Sequence, residues 1–385
     1  MLGSIVEADS EMERRPSLTI IQSTHASLWG LQQSGLLDRH KRLLDEYNKM
    51  FHVVLYTCDE TDYSTMLGVD HHPVPWLPRR FGWRHLVFYL WLIWRAPQMK
   101  GVIKVFGSNI PTLPLVKLLS RRPMIVTYQF DYAEQTRKNE RTGLKHWLAP
   151  LLERFALSPA DLVVVTAGWL EDKVRRVYHK ETVLLPNWVD MSVLEQVGVG
   201  EARDEAMILY CGRLHWSKGV NVLLSAFAGI KRQYPDARLV ICGEGEERED
   251  LEGQTKSLGV DSVEFQGRLP NSEVLRLMSA AAIFVLPTLT MEGHPKALIE
   301  AMACGAACIA SNVPGNSDVI MDGETGLLVP PGNVDALAGT LNRLIKDSYL
   351  RKRLSSNAQR DAHAFDFLNV VPADMKIIQS MYPNQ

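Results

Sequence analysis

The chain has 385 residues, 46% of them apolar and 22% charged, which suits a soluble globular protein long enough for two domains. A net charge of −2 argues against a bulk nucleic-acid binder, which would carry a basic surplus. The five scattered cysteines, Cys58, Cys211, Cys242, Cys304 and Cys308, contain no Cys-x-x-Cys pair. They fit buried thiols in a reducing cytosol better than a zinc site or a disulfide framework.

In chain order, residues 1–15 are polar and read as a flexible lead-in with no hydrophobic leader segment. SLTIIQS and FHVVLYTC read as strands enclosing a helix near 31–49. LVFYLWLIW (86–94) is nine residues long, against the roughly 20 needed to span a bilayer. It has two readings: a buried helix, or a shallow membrane-surface patch. In the second, helical spacing brings Arg84, Phe88 and Trp91 to one face, with Arg80 a turn earlier. GVIKVFGS, PMIVTYQF and DLVVVT are strand-like, with helical stretches near 111–120 and 140–157. AGWLEDKVRRVY is a helix leading to TVLLPN. DMSVLEQVGVGEARDEA is polar and has no clear period, so it reads as an interdomain linker.

The alternation resumes with MILYCGRL, ARLVICGEG, SVEFQG and AIFVLPT, each followed by a helical pattern, and the last third is helical. Strands alternating with helices predict α/β architecture with parallel sheets and right-handed crossovers. The expected organisation is an N-terminal domain over 16–188 and a C-terminal domain over 189–363. Segment 364–385 would return to the first domain.

Two strings carry the chemistry. GRLHWSKG (212–219) lies between a strand and a helix, so Arg213 and Lys218 sit at a helix start. Cations oppose the helix dipole there, and a diphosphate would reconcile them with it. MEGHPKALIEAMACG (291–305) sets Glu292 in the loop after a strand and Glu300 about two turns into an apolar helix. Two ionised carboxylates are acceptors only, which suits a ligand rich in hydroxyls. GEG at 243–245 is a weak dinucleotide signal, because Arg248 stands where a third glycine would be needed.

GRLxxxKG followed by Glu-x7-Glu resembles family 4 of the retaining glycosyltransferases. The likeness is strong over 183–330, where LPNWVD, GEG and DGETGLLVPPGN fall in family order, and only general over 16–180. It implies the GT-B fold, two Rossmann-like domains facing across a cleft, with the nucleotide sugar held mainly by the C-terminal one. Arg213 and Lys218 would neutralise the diphosphate, and Glu300 would accept the ribose hydroxyls. Glu292, Gly293, His294 and Lys296 would approach the donor sugar or phosphate, with Gly243 and Gly245 near the base. The N-terminal half departs from the pattern. STHASLWGLQQSG, with Gly30 and Gly35, replaces a Gly-Gly loop, and Asp131 stands where many relatives have a histidine. Asp131 reads either as an acceptor-side catalytic group or as a turn cap, and His25 is a second residue that could face the cleft.

The resemblance further implies a retaining, metal-independent transfer with no cofactor beyond a UDP- or GDP-sugar co-substrate. The acceptor would be a glycan or lipid-linked hydroxyl, used in polysaccharide or glycoconjugate synthesis. The setting would be cytoplasmic, with a peripheral contact at the cytosolic membrane face and no nucleic-acid partner. The alternatives are a non-catalytic nucleotide-sugar-binding subunit and a nucleotide-sugar epimerase on the same fold.

Overall fold

The structure of the protein, a computed structural model, describes residues 15–22, 27–33, 36–76, 81–107, 110–139, 143–196 and 203–383. The chain divides into two compact units. One runs to Leu185 and resumes at Val371; the other is Pro186–Val370.

The first unit is built on a seven-stranded parallel sheet. Its strands are β1 (Ser17–Gln22), β2 (His52–Tyr56), β3 (Asp70–His72), β4 (Val102–Phe106), β5 (Met124–Tyr128), β6 (Leu162–Val165) and β7 (Thr182–Leu184). They lie in the order β3-β2-β1-β4-β5-β6-β7. The helices are α1 (Leu28–Gln33), α2 (Leu37–Asn48), α3 (Ser64–Leu67), α4 (Phe81–Arg95), α5 (Leu113–Ser120), α6 (Tyr132–Asn139), α7 (Leu144–Leu157) and α8 (Gly168–Lys173). The central strands are buried along almost their whole length. That is why they read as continuous apolar runs and not as alternations. Phe88 and Leu92 of α4, Leu113 and Val116 of α5 and Leu157 of α7 join Ile103, Val105, Val126 and Val163 in one core.

The second unit holds a six-stranded parallel sheet in the order β10-β9-β8-β11-β12-β13. Its strands are β8 (Asp204–Cys211), β9 (Arg238–Cys242), β10 (Val263–Gly267), β11 (Ala281–Leu286), β12 (Ala307–Ser311) and β13 (Leu327–Val329). Its helices are α9 (Met191–Gln196), α10 (Val220–Gln233), α11 (Arg248–Ser257), α12 (Asn271–Ala280), α13 (Lys296–Ala303), α14 (Val334–Lys346) and α15 (Ser348–Ala362), and the last helix, α16 (Phe367–Ser380), starts in it. Asn333 and Asp347 cap α14 and α15 through their side chains. The chain leaves β8 toward β9 and returns to pair β11 on the other side of β8, so strand order reverses between β8 and β11. Loops at the C-terminal ends of two such strands diverge and leave a crevice, the usual ligand position in open α/β sheets. Both sequence motifs lie in these two loops.

From Val371 onward α16 belongs to the first unit. There Asp374 pairs with Lys104 of β4 and accepts the Tyr47 hydroxyl, all three side chains being buried. Tyr382 stacks on Phe51 at 6.0 Å and donates to the Ser17 carbonyl at 2.6 Å.

Several expectations need correction. The segment read as a linker without period contains α9 and the start of β8. Leu194 is the buried anchor of that short helix, and six residues give too little periodicity to read. The edge strands β3 and β13, three residues each, escaped notice for the same reason. A helix, α6, begins directly after Asp131. In the 86–94 segment, Phe88 is fully buried and Trp91 packs on the core, so the face expected to meet a membrane is the one that meets the sheet. Arg80, His25, Gly35 and most of the lead-in lie outside the described residues.

Candidate functional site

The site is assembled from the two loops at the reversal of the second sheet. Gly212 follows β8 directly, and its N–H donates to the Cys242 carbonyl at 3.0 Å. The Tyr210 hydroxyl donates to the Arg213 carbonyl at 2.9 Å and fixes the next peptide. His215 then caps a short 3₁₀ turn, Trp216–Lys218, by accepting the Ser217 N–H at 3.2 Å. Burial lowers the pKa of this imidazole, partly opposed by Glu246 at 3.3 Å. Gly219 ends the turn at φ +66°, in the left-handed region. The N-cap of α10, which starts at Val220, is Gly219, which has no side chain to offer the first N–H groups of the helix.

The second loop leaves β11 beside the first. The Leu289 N–H donates to the Ser217 carbonyl at 2.7 Å. A Cβ on Gly219 would stand 2.1 Å from the Pro287 carbonyl oxygen, so only glycine lets the loops lie this close. Lys218 Nζ meets Glu292 Oε1 at 2.5 Å, and the Thr288 hydroxyl donates to the same oxygen at 2.9 Å. The Glu292 N–H donates to the Pro314 carbonyl at 3.0 Å. Gly315, at φ +90°, leaves room for the Glu292 backbone, which a Cβ would meet at 2.4 Å. Gly293 continues this loop toward Pro295, the residue before α13.

Glu300 is buried on α13, and its partner is Lys296 one turn earlier, at 2.8 Å. The carboxylate is close enough to Cys211 to add to the rise in that thiol's pKa, after burial, which is the main cause. Glu300 therefore lies beside the end of β8. Arg213 is exposed and makes no ion pair among the described residues.

Other expected residues have structural work. Gly243 and Gly245 face the first loop: a Cβ would stand 1.9 Å from the Gly212 oxygen and 2.0 Å from the Leu214 oxygen. These glycines let the loops after β8 and β9 pack backbone to backbone, a sufficient reason for them with or without a ligand. His294 is buried, and its Nδ1 accepts the Asn187 N–H at 3.2 Å. The Asn187 amide returns a bond to the His294 carbonyl at 2.7 Å. Burial pushes the His294 pKa down to about 4, so the ring is neutral with its proton on Nε2.

Asp131 lies in the first unit, after β5. Its Oδ1 accepts the Glu134 N–H at 2.8 Å at the start of α6 and pairs with Lys173 at 2.6 Å. Of the two readings left open, the cap is therefore filled. Lys173 also meets the fully buried Glu153 at 3.0 Å, and Glu153 accepts the Tyr128 hydroxyl and the Tyr132 N–H. Sequence reasoning missed Thr288, Gly315, Lys173 and Glu153, and it met Asn187 only within LPNWVD, with no role assigned. Each stands many residues from the group it supports, apart from Thr288, and no local spacing marks any of them.

Comparisons with known proteins bear on the family and the fold. The family model described as Glycosyl transferase 4-like domain matches residues 34–188, and that described as Glycosyl transferases group 1 matches 195–361. The chain is 27% identical to a phosphatidyl-myo-inositol mannosyltransferase of Mycobacterium leprae over 293 residues, 75% of each chain. Among solved structures, the sucrose-phosphate synthase of Thermosynechococcus elongatus matches with a TM-score of 0.75 at 22% identity, over 95% of this chain and 99% of that one. The HepE protein of Anabaena, solved with UDP and glucose, matches with a TM-score of 0.73 at 18% identity, over 95% and 100%. The chain belongs to glycosyltransferase family 4, has the GT-B fold, and is a sugar-transferring enzyme.

Proposed function

We propose that the second unit holds a UDP- or GDP-linked sugar and that the enzyme passes the sugar to a hydroxyl with retention, without a metal ion. The observation that carries this reading is the Lys218–Glu292 contact, which joins the cationic and the acidic motif at one point. A diphosphate drawing on Lys218 and Arg213 at the start of α10 would free Glu292 to accept sugar hydroxyls. The same two cations would stabilise the charge that develops on the leaving diphosphate, the part a metal ion plays elsewhere. Glu300, held by Lys296, would accept the ribose hydroxyls.

In the transfer itself, the bond from the sugar's anomeric carbon to the diphosphate breaks. The acceptor oxygen then bonds to that carbon on the same face. The acceptor proton passes to an oxygen of the departing diphosphate, so no protein nucleophile is required. Asp131 belongs to the acceptor side of this scheme as a fixed hydrogen-bond acceptor. The likeness to an enzyme named for phosphatidyl-myo-inositol supports a lipid-linked acceptor met at a membrane surface.

A thermal-shift panel of nucleotide sugars tests the reading, because a ligand bound to the native state raises apparent stability by mass action. One UDP- or GDP-sugar should raise Tm and then be slowly hydrolysed. No shift with any of them overturns the proposal. A shift without hydrolysis or transfer would make the protein a binding subunit.

A further inference from the structure

The outer layer of the first unit carries apolar surface that its own core does not use. On α4, Trp83, Leu86, Leu90 and Trp94 are all exposed, at the i, i+3, i+7, i+11 spacing of one helical face. Phe88 and Leu92 cover the sheet from the opposite side of the same helix. On α5, Leu115, Leu118 and Leu119 point outward, Leu118 with 68% of its surface exposed. On α7, Trp147, Leu151 and Phe155 repeat every four residues and are likewise exposed, Trp147 by 76%. α5 packs between α4 and α7, so the three stripes lie side by side. Among the described residues, the second unit, of similar size, exposes only Trp216, Met321, Tyr349 and Leu368 of its large apolar side chains.

Charge singles out the same region. Residues 71–130 contain no Asp or Glu and nine Lys or Arg, in a chain whose totals are 44 acidic and 42 basic. Arg121, Arg122 and Arg154 are exposed on α5 and α7 or at their ends. The acidic residue of α7, Glu153, is fully buried. Contiguous apolar area of this extent marks an interaction surface. Tryptophans bordering leucines, with exposed arginines beside them and one exposed carboxylate, Asp161, neutralised by Lys117 of α5, match the headgroup region of an anionic bilayer. No described helix is long and apolar enough to cross a membrane, so contact of this kind is shallow.

We propose that the outward face of α4, α5 and α7 is a docking surface for anionic lipid bilayer. The proposal rests on the membrane-surface part of the functional reading above and names the face that makes the contact.

The test is co-sedimentation of the full chain with vesicles of phosphatidylcholine and phosphatidylglycerol, beside vesicles of phosphatidylcholine alone. The wild type should pellet with the anionic vesicles at low salt and less with the neutral ones. The pair Leu118→Glu with Trp147→Glu should weaken binding about tenfold or more, and so should Arg121→Glu with Arg122→Glu. Tyr349→Glu, on the second unit, should bind as wild type. All these positions are exposed, so circular dichroism melting should be unchanged. Wild-type protein left in the supernatant overturns the proposal, as does undiminished binding by the face variants. A lipid-free dimer in sedimentation velocity that Leu118→Glu abolishes would assign the face to a second copy and overturn it too. The nucleotide thermal shift should persist in every face variant, so failure on vesicles and failure of the donor reading are separate results.

Discussion

Lys218 and Glu292 are 74 positions apart in sequence and 2.5 Å apart in space. Each motif was legible by itself: a cation pair before a helix, and two carboxylates with seven residues between them. That both would serve one donor was expected; their direct contact was not legible, because it depends on β8 and β11 being neighbours and on the glycine at 219. If the pair serves a donor diphosphate, Lys218→Ala and Arg213→Ala should each lower kcat/KM by about 2–4 kcal/mol. Steady-state kinetics with the donor found by thermal shift checks this, and wild-type turnover in both variants would refute it. Glu300→Gln should weaken the free nucleotide by about 1.5–3 kcal/mol, since the amide replaces a charged acceptor. His294 gives a different prediction. Its folded pKa of about 4 lies below the ordinary value of 6.5. Between those values the unfolded chain binds more protons, so stability falls as pH drops through 6.5 toward 4. The full effect is about 3 kcal/mol. His294→Gln should flatten that acid limb in urea melts at pH 7, 6 and 5; an unaltered slope would mean that the histidine titrates freely.

At the scale of elements, the long central strands and the amphipathic helices of the second unit were readable from hydrophobic period. α4 was not readable in the same way. It is apolar on both sides, so periodicity could not say whether Phe88 and Leu92 or Leu86 and Leu90 face the sheet, and the wrong side was expected outward. The strands of three residues are too short to show any period. The return of the C-terminal segment was anticipated from its apolar content, but its polar anchor was invisible in sequence. Lys104 sits mid-strand in a run of apolar residues, and Asp374 is 270 positions away. Asp374→Ala should leave the Lys104 ammonium buried without its partner and destabilise the protein by about 3–5 kcal/mol. Replacing the whole cluster, as Lys104→Met, Asp374→Leu and Tyr47→Phe, should recover most of that loss, because three apolar side chains need no partner. Thermal melts of the two variants decide the matter: equal losses in the single and the triple variant would contradict it.

At the scale of the whole molecule, alternating strands and helices were enough to expect two parallel-sheet units, and the structural neighbours share that fold. The motifs lie in the second unit only; in the first, the Asp131 carboxylate caps α6 and pairs with Lys173. Transfer should survive EDTA, since Arg213 and Lys218 supply the positive charge; loss of activity with rescue by Mg²⁺ or Mn²⁺ would contradict the proposed chemistry. The central claim is that the loops after β8 and β11 together bind a nucleoside diphosphate, and isothermal titration calorimetry with UDP and GDP tests it most directly. At least one of the two should bind the wild type, and about tenfold or more weakly when Lys218 is changed to Ala or Glu300 to Gln, in line with the energies above. No heat from either nucleotide, or equal affinity in wild type and variants, would contradict the account.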